Sequence, residues 1–161
     1  MTEEEKLVGI LKERGLIITT VESLTGGMIA STIVNVPGAS DVFRRGYITY
    51  CDEAKHDLVG VSRRTLEKYT AVSAETAREM AEGGVRTAVC DAALSATGIA
   101  GPDGGTEEKP VGLVYIGFSI HNRTTVKKLL LDGSRLEIRQ GTVREALRLA
   151  VRELSKENGS L

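Results

Sequence analysis

Thr20-Val21-Glu22-Ser23-Leu24-Thr25-Gly26-Gly27 places a serine where an apolar, β-branched run gives way to helical spacing. Leu16 to Val21 reads as a buried strand, and Gly27 to Val34 carries apolar residues at helical intervals. A hydroxyl at such a turn sits at the carboxyl edge of a sheet. The first N–H groups of the following helix are expected to face an anion or oxyanion there. Serine alone is a weak nucleophile and needs a base within hydrogen-bond reach. Ile48-Thr49-Tyr50-Cys51-Asp52-Glu53-Ala54-Lys55-His56, a second strand running into a helix, offers Lys55 or His56. Neighbouring helical positions point in different directions, so only one of the two is expected to face the serine. A lysine acts as base when desolvation lowers its pKa from about 10.4 towards 7–8. Tyr50 could then relay or orient the proton. From spacing alone, the commoner reading of Lys55 is a solvated surface residue.

Thr97-Gly98-Ile99-Ala100-Gly101-Pro102-Asp103-Gly104-Gly105-Thr106-Glu107-Glu108-Lys109-Pro110-Val111-Gly112 is a Gly- and Pro-rich loop between two strand-like runs. Such loops can cradle phosphate, but the spacing is that of neither a P-loop nor a dinucleotide fingerprint, and the plain reading is a long hairpin connection. Asp103, Glu107 and Glu108 raise a metal site. Adjacent acids on a loop are usually only solvated, so no metal is expected. Cys51 and Cys90 form no CxxC motif, and His56 and His121, the only histidines, are far apart in sequence, which argues against structural zinc.

These segments need a scaffold to bring them together. A helix to Arg14, the strand Leu16–Val21, a helix from Gly26 to about Asn35 ended by Pro37-Gly38, and a strand Arg45–Tyr50 come first. A short helix at Glu53–Leu58 follows, then a helix near Arg63 capped by Ser62, and one from Ala74 to about Val89 capped by Ser73. Asp91–Thr97 and Val111–Ile120 read as strands, with Thr124–Leu131 as antiparallel partner of the latter. Val143, Leu147, Ala150 and Leu154 mark one face of a long last helix. The expected fold class is α/β, a single-domain three-layer α/β/α sandwich with a mixed sheet, spanning residues 1–161.

Composition sets the outer bounds. The 161 residues are 41% hydrophobic, enough for one buried core, and 21 basic against 22 acidic residues give a formal charge of -1. With 4% aromatics and no Trp, neither an electrostatic footprint nor a stacking platform for nucleic acid is present. No run approaches the roughly 20 apolar residues of a membrane span. A soluble, cytoplasmic protein with no nucleic-acid or membrane partner is expected.

Taken in order, Glu22–Gly27, Gly38-Ala39-Ser40-Asp41-Val42-Phe43-Arg44-Arg45-Gly46, Thr49–Lys55, Ala71-Val72-Ser73 and Thr97–Gly112 resemble the CinA C-terminal domain family over almost the whole chain. The resemblance implies an α/β/α domain and, in enzymatically active members, hydrolysis of the carboxamide of nicotinamide mononucleotide to nicotinate mononucleotide and ammonia, a step of pyridine nucleotide salvage. It implies Ser23 as nucleophile, Lys55 as base and Tyr50 in the proton relay. Thr25, Gly26 and Gly27 are implied to line the pocket, and Ser40 with Arg44 or Arg45 to meet the phosphate. Thr97, Gly98, Gly101 and the loop to Lys109 would close over the nucleotide. No cofactor and no metal are implied; a homo-oligomer is expected. Longer members carry an additional N-terminal domain, so similarity to the stand-alone amidohydrolase form is expected.

The chain departs from the family pattern at Leu24 (often Cys), Ala39 (often Ser), Cys51-Asp52 (usually Ser-Asn) and Thr106 (usually Ser). Asp52 is the consequential change, because an acid near Lys55 stabilises its charged form and opposes a base role. Two alternatives follow: a hydrolase of another small metabolite, and a non-catalytic nucleotide-binding module.

Overall fold

A computed structural model describes residues 1–158. The elements are α1 (Glu3–Arg14), β1 (Ile18–Glu22), α2 (Met28–Val34), β2 (Phe43–Ile48), α3 (Asp52–Val59), α4 (Arg63–Tyr69), α5 (Ala74–Ala88), β3 (Ala92–Gly98), β4 (Leu113–Ile120), β5 (Arg123–Leu130) and α6 (Arg135–Glu157). A 3-10 turn at Ala39–Asp41, which the sequence pattern does not signal, leads into β2. The five strands form one sheet in the order β2-β1-β3-β4-β5. β2, β1 and β3 are parallel, whereas β4 and β5 are antiparallel additions, so the sheet is mixed as expected. Helices α1, α2 and α6 cover one face; α3, α4 and α5 cover the other.

Side-chain parity along the strands decides which chemistry lies on which face. Ile18 belongs to the larger apolar core under α1, α2 and α6, and Val21 to the smaller one under α3–α5. Alternation along β1 therefore sends Glu22 towards α2 and Ser23 towards α3. β3 repeats the pattern. Ala92, Leu94 and Ala96 enter the larger core, while the hydroxyls of Ser95 and Thr97 donate to the carbonyls of Ala77 and Ala71 on the α5 side.

The element ends follow from capping. Ser62 and Ser73 accept from the Thr65 and Thr76 N–H groups, as the spacing predicts. Thr2 with Glu5 and Ser134 with Glu137 form reciprocal capping boxes at the starts of α1 and α6. β1 begins two residues later than expected, because the Leu16 N–H completes the α1 terminus on Leu11 O and the Ile17 N–H donates to Asp91 Oδ2. Val143, Leu147, Ala150 and Leu154 are buried along α6. Helix α5 approaches closely at Gly83 and Gly84. A Cβ on Gly83 would lie 1.9 Å from Val59 O of α3, and one on Gly84 2.6 Å from Val21 Cγ2 of β1. Glycine there lets the helix sit against both the strand that leads to Ser23 and the helix that carries Lys55.

Candidate functional site

Ser23 follows the last residue of β1, its N–H donating to Ala96 O of β3 at 2.9 Å. One strand over, the Thr49 N–H donates to Glu22 O, which brings the chain after β2 to the same carboxyl edge. Two residues of turn then start α3, and Lys55 lies one turn along it. Its side chain reaches back under the edge. Lys55 Nζ donates to Ser23 Oγ at 3.1 Å and to Thr49 O at 2.8 Å.

Lys55 is only 1% exposed, a rare state for a lysine. Burial pushes its pKa down from the ordinary lysine value, and the nearby Asp52 and Cys51 pull it partway back. Among the described residues no carboxylate pairs with Lys55; its acceptors are a hydroxyl and a carbonyl. Removing an ammonium from water without a counter-ion favours the neutral amine, which can accept a proton. His56 turns away, its Nδ1 lying 2.8 Å from Val61 O. Of the two bases open from sequence, Lys55 is the one facing Ser23.

A cleft of about 310 Å³ opens over this pair, bounded by Tyr50, Asp52, Thr97, Gly98, Gly101 and Arg135 among others. Tyr50 is exposed, and its hydroxyl accepts from Arg135 Nη2 at 2.9 Å instead of standing between Ser23 and Lys55. Arg135 also donates to Gly101 O at 2.7 Å and so links the tyrosine to the Gly-rich loop. One helical turn on, Arg139 donates to Leu24 O and Thr25 O at 2.8 and 3.2 Å and braces the turn behind Ser23. Sequence reasoning missed both arginines. Their four-residue spacing just after the Ser134 cap put them on one face of a helix start, the single local signal available.

Several expected site residues lie elsewhere than in this cleft. The start of α2 does not offer its N–H groups to an oxyanion: those of Ile29 and Ala30 donate to the buried Glu22 carboxylate at 2.7 and 3.0 Å. Gly26 and Gly27 adopt positive φ (54° and 100°) to make the turn and face Arg139 and Ile48; neither lines the cleft. Thr25 is fully buried behind the turn. Ser40, Arg44 and Arg45 lie away from the cleft. Ser40 is exposed on the 3-10 turn, and Arg44 and Arg45 flank a separate hollow with Ile17 and Cys90 at the amino ends of the strands. Lys109 is a strap. Its Nζ donates to Tyr69 O, Thr70 Oγ1 and Val72 O at 3.0, 2.7 and 2.8 Å, fastening the loop to the cleft wall. Of the acidic loop residues only Asp103 reaches the cleft.

Comparison with known proteins agrees with this architecture. Residues 1–154 match the family model described as the CinA C-terminal domain. A CinA-like protein of Kosmotoga olearia is 53% identical over 151 residues, which cover 94% of this chain and 37% of that protein. The chain spans little more than a third of the length of the curated relatives it matches. Among solved structures, the competence/damage inducible protein CihA from Agrobacterium tumefaciens superposes with a TM-score of 0.89 at 39% identity, covering 95% of both chains. A CinA superfamily protein from Enterobacter cloacae gives 0.91 at 32% identity over 94% of this chain and 90% of that one. No helix among the described residues is long and apolar enough to cross a membrane.

Proposed function

The chain belongs to the CinA C-terminal domain family, and we propose on that basis that it hydrolyses the carboxamide of nicotinamide mononucleotide to nicotinate mononucleotide and ammonia by Ser-Lys acyl transfer. The observation that carries the reading is the contact between the buried Lys55, which pairs with no carboxylate among the described residues, and Ser23 Oγ at 3.1 Å.

Neutral Lys55 takes the Ser23 proton as Oγ bonds to the carboxamide carbon. The contact is direct, so Tyr50 serves at the mouth of the cleft, held by Arg135, and not as a relay. Backbone N–H groups of Leu24 and Gly98, both lining the cleft, are assigned to the oxyanion. The C–N bond then breaks, the Lys55 ammonium returns its proton to the departing nitrogen, and ammonia leaves. Water hydrolyses the ester, again with Lys55 as base, and regenerates Ser23. The pyridinium ring withdraws electrons from the carbonyl and assists both attacks. With Lys109 committed to the α4–α5 connection and Arg44 and Arg45 at the far edge, Arg135 is the cation left in the cleft to meet a phosphate.

The test is ammonia release by the purified chain from nicotinamide mononucleotide, free nicotinamide and glutamine, with and without chelator. Release from the mononucleotide alone, insensitive to chelator, is expected. Release from glutamine or free nicotinamide in preference would make the protein a different amidase, and mononucleotide binding without release would make it a binding module.

A further inference from the structure

Asp52 is the first residue of α3, three before Lys55, so the two side chains share a helix face, and both line the cleft. Its carboxylate raises the proton affinity of Lys55, which works against a base. Asp103, on the Gly-rich loop, is the other lining carboxylate. Neither forms an ion pair among the described residues. Lys55 donates to Ser23 and Thr49, Arg135 is held by Gly101 and Tyr50, and Lys109 by three oxygens of residues 69–72, while His56 and Arg63 share a separate hollow with Asp52 on its other side. The cleft thus sets beside Ser23 and Lys55 a carboxylate that no cation among the described residues pairs with.

We propose that Asp52 is a specificity-determining residue that selects amides whose ring carries a fixed positive charge, a pyridinium, over neutral-ring analogues of the same shape. The inference rests on the mononucleotide reading above and adds the reason for the charge. A pyridinium carboxamide at Ser23 brings its ring charge into the cleft that Asp52 lines, on the same helix face as Lys55. The bound cation also offsets the pull of Asp52 on the Lys55 proton, so the ligand that Asp52 favours relieves the handicap Asp52 imposes. At an effective dielectric between those of surface and bulk water, a charge pair about 5–6 Å apart is worth roughly a factor of ten in affinity.

The test compares binding, because the oxidised and reduced rings differ in reactivity. On a Ser23→Ala background, calorimetry at low salt measures Kd for nicotinamide mononucleotide and for its dihydropyridine form, which has the same phosphate and carboxamide but a neutral ring. The expected preference for the oxidised form is about tenfold. Adding Asp52→Asn should bring it near unity by weakening the oxidised form alone, and Asp52→Glu should keep it. Asp52 is exposed at a helix start, so these variants should fold, and an unchanged melting temperature confirms it. A preference untouched by Asp52→Asn, or equal weakening of both forms, overturns the inference while the proposed substrate stands. Failure of both forms to bind overturns the substrate assignment and the inference with it.

Discussion

Lys55→Arg separates a proton-accepting role from a merely electrostatic one. Lys55 contributes two hydrogen bonds, to Ser23 Oγ and Thr49 O, from a position that water barely reaches. Arginine keeps the charge and donors but cannot surrender a proton at any usable pH. Removal of a positioned general base costs typically 10²–10⁴ in rate, about 3–5 kcal/mol of transition-state stabilisation. The expected loss in kcat/KM is therefore at least a hundredfold. In the parent, kcat/KM should rise with pH along a limb whose midpoint lies below the ordinary lysine value, since burial is the largest influence on Lys55. That limb should vanish in Lys55→Arg. The assay is coupled ammonia release from the mononucleotide across pH 6 to 10. Since guanidinium is bulkier than ammonium, Lys55→Ala provides a second arm: small primary amines should restore part of the rate in proportion to their free-base concentration. Retention of more than a tenth of parental kcat/KM by Lys55→Arg, or a rescue that follows total amine and not free base, would refute the base assignment.

Ser23→Ala should abolish ammonia release while mononucleotide Kd, measured by calorimetry, stays within roughly tenfold, because the hydroxyl acts in the chemical step; near-normal turnover removes Ser23 as nucleophile. Gly83→Ala should destabilise by about 1–3 kcal/mol, read in urea, and lower kcat as well, because its Cβ would meet Val59 O and push α3, with Lys55, away from the sheet edge. Lys55 also predicts a pH dependence of stability. Its pKa is lower folded than unfolded, so the unfolded chain binds more protons between the lowered value and about 10.4, and its contribution to stability rises with pH across that window. The stability of the parent relative to Lys55→Met should accordingly grow from pH 7 towards 10, and a flat difference would mean that Lys55 is not desolvated.

The strand-to-helix turn at Ser23 was legible because its signals are local: a β-branched run, two glycines and a new apolar period lie within some twenty residues. The strand and helix sequence, the caps at Ser62 and Ser73 and the closing hairpin were legible for the same reason. The choice between Lys55 and His56 was not, since both follow the same strand and only packing against β1 settles which one turns inward. Arg135 was invisible because its partners, Gly101 and Tyr50, lie 34 and 85 residues away in sequence.

The position of Arg44 and Arg45 away from the Ser23 cleft follows from strand direction. β2 runs parallel to β1, so residues at its start lie at the sheet edge opposite to Ser23. From Arg45 to Tyr50 is five residues, about 16 Å of extended chain. A phosphate held by either arginine of this copy would therefore lie about a strand's length from the Ser23 hydroxyl. Glu22 carries the complementary lesson. A helix start is available to a ligand only when the protein has not already filled it, and here the residue before Ser23 fills it. That carboxylate fixes α2 to the end of β1 and thereby holds the Ser23 turn, so the negative charge that a helix start attracts is here the protein's own and serves to position Ser23.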